Sequence, residues 1–268
     1  MHPYRPFFGF TKEPFSTDLA LDEIMKTPAL SAVTDRFHYA LSVGGVAVVT
    51  GEIGSGKSTA VRFAQGRLHP SEYACLYVIA TSGGILELYR QIAAVVGIER
   101  STTSKALMTT MIRTEIKNLV SAKKLKPVLI IDEASLLRLD VFGELHTLLQ
   151  YEQDAKAYLP LILVGQASIT DKLYYRTSSA LASRVITRCH LEGLDLEQMH
   201  LYLAHHTRIA GIQTHLFEEA AAVAIHQGSG GLLRKANHLA RGGLIAAAKE
   251  QTQMVTAEHI RLAATEIL

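Results

Sequence analysis

The run VAVVTGEIGSGKST (46–59) constrains this chain more than any other stretch. A β-branched apolar segment opens into Gly51, Gly54 and Gly56, then Lys57 and Ser58, and a helix-compatible stretch leaves the loop from Ser58 to Leu68. Strand, glycine loop and helix in that order fit the pattern G-x-x-x-x-G-K-[ST]. In that pattern glycines let backbone N–H groups turn inward on a phosphate at a helix N-terminus. Gly51, Glu52, Ile53, Gly54, Ser55, Gly56, Lys57, Ser58 and Thr59 are therefore expected to hold a nucleoside triphosphate, with Lys57 on the β- and γ-phosphates and Ser58 on Mg²⁺. A solvated Gly-Ser turn would need neither flank.

A second motif narrows the chemistry. Residues 128–133 read VLIIDE, a buried-strand run that ends in two acids and follows a Lys-rich stretch and Pro127. Paired with the loop, Asp132 is expected to hold Mg²⁺ through water and Glu133 to polarise the attacking water. Many small-molecule kinases with the same loop lack the second acid, so Glu133 points to ATP hydrolysis driving a conformational cycle. The alternative is two surface acids that favour the N-terminus of a helix starting near Ala134.

The 268 residues accommodate one α/β domain and a smaller one, and 48% hydrophobic content supplies a core that excludes extended disorder. A formal net charge of +2 neither demands nor excludes nucleic acid, because a local basic face matters more than the total. Cys75 and Cys189 lie in separate strand-like runs without metal-ligand spacing. They read as reduced, buried small hydrophobes, which suits a cytoplasmic protein. No apolar stretch approaches the ~18 residues of a membrane helix, and MHPYRPFFGF lacks the build of a signal peptide, so a soluble chain without membrane partners is expected.

Along the chain, an aromatic and Pro-rich arm (1–20) precedes a helical region to about Leu41, and its aromatics are expected to pack on the main domain. Apolar runs near 46–50, 74–80, 128–132, 161–165 and 185–191 alternate with helical patterns, the signature of a parallel five-stranded sheet covered on both faces. From about Asp195 the β signal stops. Helical stretches follow at roughly 195–210, 216–227, 231–249 and 256–267, separated by Gly211 and by Gly228-Ser229-Gly230-Gly231. The expected division is 1–194, a nucleotide-binding α/β domain with its arm, and 195–268, a helical lid.

Three further residues suit a nucleotide engine. LPLILVGQ (159–166) ends a core strand in Gln166, where a polar group could sense the γ-phosphate or simply cap the next helix. Arg184, in ALASRV, precedes the fifth strand, where such an arginine can face a neighbouring subunit's nucleotide; a salt-bridged surface arginine is the alternative. Arg234, after the glycine turn in GSGGLLRKANHL, could swing onto the γ-phosphate or remain a surface residue.

The order of these parts resembles the AAA+ ATPases, a subdivision of the P-loop NTPases with a three-layer sandwich and a helical lid. FFGFTKEPFS, TGEIGSGKST, LILVGQASITDKL, LASRVITRCHLEGL and GGLLRKANHLA sharpen the resemblance to the ExeA-type ATPases across nearly the whole chain. The resemblance implies Mg²⁺-dependent ATP hydrolysis in an oligomer, and it makes Phe10, Pro14 and Phe15 candidates for the adenine pocket. A packed arm is the alternative for those three. The lid carries Leu232-Leu233-Arg234 where many relatives place a proline before the arginine.

Large ExeA-type proteins continue into a membrane helix and a peptidoglycan-binding domain, and this sequence ends at Leu268. Its size is similar to the stand-alone helpers of DNA transposition, the MuB-, TnsC- and IstB-like ATPases. That resemblance implies assembly on duplex DNA with ATP, as a ring or filament, and recruitment of a transposase. An assembly ATPase for secretion, acting through protein contacts, is the second reading. Arg90, Arg100, Lys105, Arg113, Lys117, Lys123, Lys124 and Lys126, with Lys156, Lys172 and Arg176, are the candidate DNA-facing cations. Repetition in an oligomer would make backbone-led binding strong and salt-sensitive.

Overall fold

The computed structural model describes residues 4–100 and 102–267. In chain order the helices are α1 (Tyr4–Phe8), α2 (Pro28–Val43), α3 (Lys57–Gln65), α4 (Ile85–Val95), α5 (Lys105–Ser121), α6 (Leu139–Leu145), α7 (Ser168–Tyr174), α8 (Ser179–Ala182), α9 (Leu196–Ile209), α10 (Glu219–Ser229), α11 (Leu233–Lys249) and α12 (Ala257–Ile267). The strands are β1 (Val46–Gly51), β2 (Tyr73–Ile79), β3 (Lys126–Asp132), β4 (Leu161–Gly165) and β5 (Val185–Leu191). The chain divides into two compact units, one of Pro28–Gly51 and Lys57–Leu191, the other of Met1–Thr27, Glu52–Gly56 and Glu192–Leu268.

The first unit is a parallel sheet in the order β2-β3-β4-β1-β5. Its three inner strands are buried along almost their whole length, as their unbroken apolar runs require when both faces are covered. On one face Val48, Ile131 and Leu163 join Ile92, Ile112 and Phe142 from α4, α5 and α6 in a single core. Helices α2 and α3 pack against β1 and β4. The edge strand β5 alternates between partly covered and exposed residues, since only one neighbour and one face shelter it. Cys75 and Cys189 sit on the two edge strands and are half-buried rather than buried, with free thiols that partial burial pushes above their ordinary pKa.

The order of the strands positions the chemistry. The chain leaves β1 toward the β2 edge and leaves β4 toward β5, so the crevice between the carboxyl ends of β1 and β4 is a topological switch point. The registers Thr50↔Gly165, Ile131↔Leu163 and Ile79↔Asp132 keep these ends level. Gly51, Asp132 and Gln166 therefore lie along one rim of the sheet.

The second unit is helical. Asp195 caps α9 through a hydrogen bond from the Gln198 N–H to its side chain (2.8 Å). The N-terminal arm packs here: Tyr4, Phe8, Phe10 and Phe15 share a core with Met199, Tyr202 and Leu239. The expectation that this arm packs on the α/β domain is thus corrected, because its aromatics and its polar groups both find partners among α9–α12. Glu13 accepts from Tyr4 and pairs with Arg241 (3.3 Å), and the Thr11 N–H donates to the Ala210 carbonyl (2.9 Å). Two backbones also touch directly: a Cβ on Gly193 would lie 2.4 Å from the Gly230 oxygen, and one on Gly231, at φ +76°, 2.3 Å from the Leu194 oxygen. The hydrogen bond from the Leu194 N–H to the Gly231 carbonyl (2.9 Å) closes this contact.

Candidate functional site

Lys57 opens α3 and is buried, with its ammonium donating to the Gly51 carbonyl at 3.0 Å. This holds the cation over the end of β1. Ser58 is exposed and Thr59 half-exposed on the first turn, where the helix dipole favours an anion. In the loop crown, Gly54 adopts φ +85°, and Ser55 is buried with a hydroxyl that has no hydrogen-bond partner among the described residues. A Cβ on Gly54 would come within 2.8 Å of the Arg234 Cβ, so only glycine allows the crown to lie against the start of α11. The Gly54 carbonyl there accepts the Arg234 N–H (3.1 Å), one of the unpaired donors of a helix start. Glu52 and Ile53 are exposed on the same crown.

Asp132 is buried at the carboxyl end of β3 and both of its oxygens are engaged. Oδ1 accepts the Glu133 N–H (2.8 Å) and Oδ2 accepts the Tyr77 hydroxyl (2.7 Å). Burial and then the neighbouring carboxylate push the Tyr77 phenol above its ordinary range, so it remains a donor. Glu133 has left-handed backbone geometry (φ 53°, ψ 31°), unusual for a residue with a Cβ, and is exposed. Behind it, Lys172 donates to the Ser135 and Leu137 carbonyls (2.5 Å each) and pins the short 3₁₀ turn Ala134–Leu136. Burial lowers the pKa of that lysine. Lys172 therefore faces inward and is withdrawn from the set of candidate DNA-facing cations.

The remaining expected residues separate. Gln166 follows β4; its carbonyl accepts the Ile169 N–H (3.1 Å), while its carboxamide has no partner among the described residues. Arg234 is exposed on α11, and its guanidinium likewise has no partner among the described residues. Arg184 lies just before β5, and its backbone carbonyl accepts the Val46 N–H (2.9 Å) at the amino end of β1. Gly51 is at the other end of that strand, roughly 17 Å away at ~3.3 Å per residue. Arg184 thus lies on the opposite rim from Lys57 and Asp132, and it makes a two-pronged pair with Asp154 (2.8 and 2.7 Å). Three successive left-handed residues, Glu152, Gln153 and Asp154, present that acid.

Phe15 is fully buried in the helical unit, stacked on His206 (5.1 Å, 16°) and edge-on to Phe217. Phe10 and Pro14 are buried as well. Several cations singled out for DNA are occupied within the chain: Lys105 with Glu144, Lys123 with Glu115, Lys126 with Glu72, and Arg113 with the Gln150 carbonyl. Arg90, Arg100, Lys117, Lys124, Lys156 and Arg176 are exposed without such partners among the described residues.

Residues 41–173, which carry the loop, Asp132, Glu133 and Gln166, match the family described as AAA domain. That segment is just under half of the chain. Its fold is that of the AAA+ P-loop NTPases, and an ATPase activity in general is supported by that match. The whole chain is similar to general secretion pathway protein A of Aeromonas hydrophila, at 28% identity over 98% of this chain and 48% of the relative, so it spans about half of that protein's length. Among solved structures, Cdc6p from Pyrobaculum aerophilum is similar at a TM-score of 0.73 and 16% identity, over 95% of this chain and 70% of that one. The ORC1 protein of Aeropyrum pernix, in complex with DNA, is similar at a TM-score of 0.69 and 16% identity, over 94% and 68%. No helix among the described residues is long and apolar enough to cross a membrane.

Proposed function

We propose that this protein is a Mg²⁺-dependent ATPase whose subunits complete one another's active sites in an oligomer. The observation that carries this reading is the placement of Lys57, Asp132 and Gln166 at the carboxyl rim of the sheet and of Arg184 at the amino rim. An arginine on the far rim can act in phosphoryl transfer only on a neighbour's nucleotide. Release from Asp154 would free it for that role.

The chain's own groups suit the nucleotide. The buried Ser55 hydroxyl, the left-handed Gly54 and the buried Lys57 ammonium fit a polyphosphate anion. Ser58 and Asp132 would hold Mg²⁺ through a hydroxyl and a carboxylate, the oxygen donors such an ion takes. Held there, the ion would supply positive charge to offset that of the phosphates. Glu133 orients the attacking water and accepts its proton, while Gln166 contacts the γ-phosphate through its free carboxamide. Arg234 reads the presence of that phosphate and passes it to the helical unit, so that ATP favours assembly and hydrolysis favours disassembly.

The similarity to general secretion pathway protein A along 98% of the chain favours a protein-directed assembly ATPase of the secretion type. The six exposed cations without ion-pair partners among the described residues favour a second reading, in which the oligomer coats duplex DNA and recruits a transposase. ATP turnover by the purified protein, with and without duplex DNA across a salt series and with electron microscopy of the same mixtures, separates the two. The first predicts turnover indifferent to DNA. The second predicts stimulation and ATP-dependent rings or filaments on DNA that weaken as salt rises. Absence of ATP turnover under every condition would remove the ATPase reading itself.

A further inference from the structure

Tyr77 has no place in the phosphate loop or the acid pair, yet it touches the chemistry. It is the third residue from the end of β2, opposite Ile130 in the β2–β3 register, and Asp132 lies two positions further along the same face of β3. Such a diagonal neighbour, roughly 7–8 Å away between backbones, is within reach of an aromatic side chain. The phenol spans that gap and donates to Asp132 Oδ2 at 2.7 Å. Because the Glu133 N–H takes Oδ1, the carboxylate is gripped at both oxygens and its orientation is fixed. A neutral donor does this without cancelling the negative charge, as a lysine or arginine at the same place would.

We infer that Tyr77 is a positioning residue that aims the Asp132 carboxylate at the divalent ion accompanying the nucleotide. The inference rests on the assignment of Asp132 to that ion. It predicts a division between two affinities: nucleotide binding without metal, set by the phosphate loop, is independent of the Tyr77 hydroxyl, and the gain on adding Mg²⁺ depends on it. Outer residues that orient a metal ligand typically change metal affinity by about 10- to 100-fold when removed. Tyr77 is 39% exposed, so Tyr77→Phe deletes one oxygen without opening the core.

The test is an equilibrium titration of full-length protein with a fluorescent ATP analogue, first in EDTA and then across a Mg²⁺ series, for wild type, Tyr77→Phe and Asp132→Asn. Melting by circular dichroism confirms that the variants fold. The expected result is metal-free affinity within about two-fold of wild type and a Mg²⁺ midpoint raised about ten-fold in Tyr77→Phe, with the Mg²⁺ response largely lost in Asp132→Asn. If Asp132→Asn loses the response while Tyr77→Phe keeps the wild-type midpoint, the role of Tyr77 is overturned and the assignment of Asp132 stands. If wild type shows no Mg²⁺ response, or Asp132→Asn retains it, the assignment of Asp132 fails and the inference falls with it. A Tyr77→Phe protein that loses metal-free affinity in equal measure would show a general structural role instead and would also overturn the inference.

Discussion

The carboxyl rim of the sheet and the start of α11 both carry residues expected to meet a phosphate, but they hold them differently. At the rim, Lys57 is tied to the Gly51 carbonyl, and Asp132 uses both oxygens on Tyr77 and the Glu133 N–H. On α11 only the backbone of Arg234 is fixed, through the Gly54 carbonyl, and its guanidinium is exposed and unpaired among the described residues. Groups oriented before ligand arrives cost little reorganisation in the reaction, whereas a long side chain that must be ordered on binding loses rotamer entropy. The rim therefore suits chemistry, and α11 suits response.

Substitutions can break this contrast. The largest effect is expected for Lys57→Ala, which deletes the buried cation and should remove detectable binding of a fluorescent nucleotide; a variant that binds and turns over ATP would end the phosphate-loop assignment. Glu133→Gln should keep ATP binding, accumulate the assembled state in light scattering, and lower turnover by ~10²–10⁴-fold. Normal turnover there would remove Glu133 as the base. Arg184→Ala should cost about 10³-fold in turnover while leaving ATP binding by the isolated subunit unchanged, and unaltered rates would exclude the trans role. Arg234→Ala, acting through one charge-assisted hydrogen bond, is expected to lower turnover only about ten-fold, and a loss as deep as that of Lys57→Ala would erase the proposed distinction between rim and α11.

The smallest effect concerns stability. His206, buried between Phe15 and Tyr202, has its pKa lowered to about 3, chiefly by burial and then by His205 and Lys12, and its Nδ1 has no hydrogen-bond partner among the described residues. The folded unit holds it neutral, and unfolding restores the ordinary value of 6.5. Its contribution is therefore complete above pH 6.5 and declines as pH falls toward 3, by at most about 1.4 kcal/mol per pH unit. Melting curves at pH 7 and pH 5 should separate more for wild type than for His206→Phe; equal separations would discard this source of acid sensitivity.

Strand positions were legible because the inner strands are unbroken apolar runs bounded by Gly, Pro or charged residues, and all five lie within two residues of expectation. Helices α9, α10 and α11 were marked by the glycine turns between them. What local pattern could not provide was the partner of a side chain distant in sequence. Tyr77 reads as one more apolar strand residue until the β2–β3 register brings it beside Asp132, 55 residues away. Lys172 reads as a surface cation until the carbonyls of a 3₁₀ turn appear beneath it. The arm was misplaced for a related reason, since its aromatics announce burial without saying against which helices.

The contact of Gly193 with Gly230 and Gly231 bears on how such a chain can diverge. Any side chain at position 193 or 231 would run into main-chain atoms of the other segment, which cannot rotate aside as a side chain can. The two positions form a single mutational unit: neither can drift alone, and a coordinated change must move the turn that sets where α11 begins. Among lineages descended from this sequence, the exposed neighbour Glu192 should wander while this pair stays still.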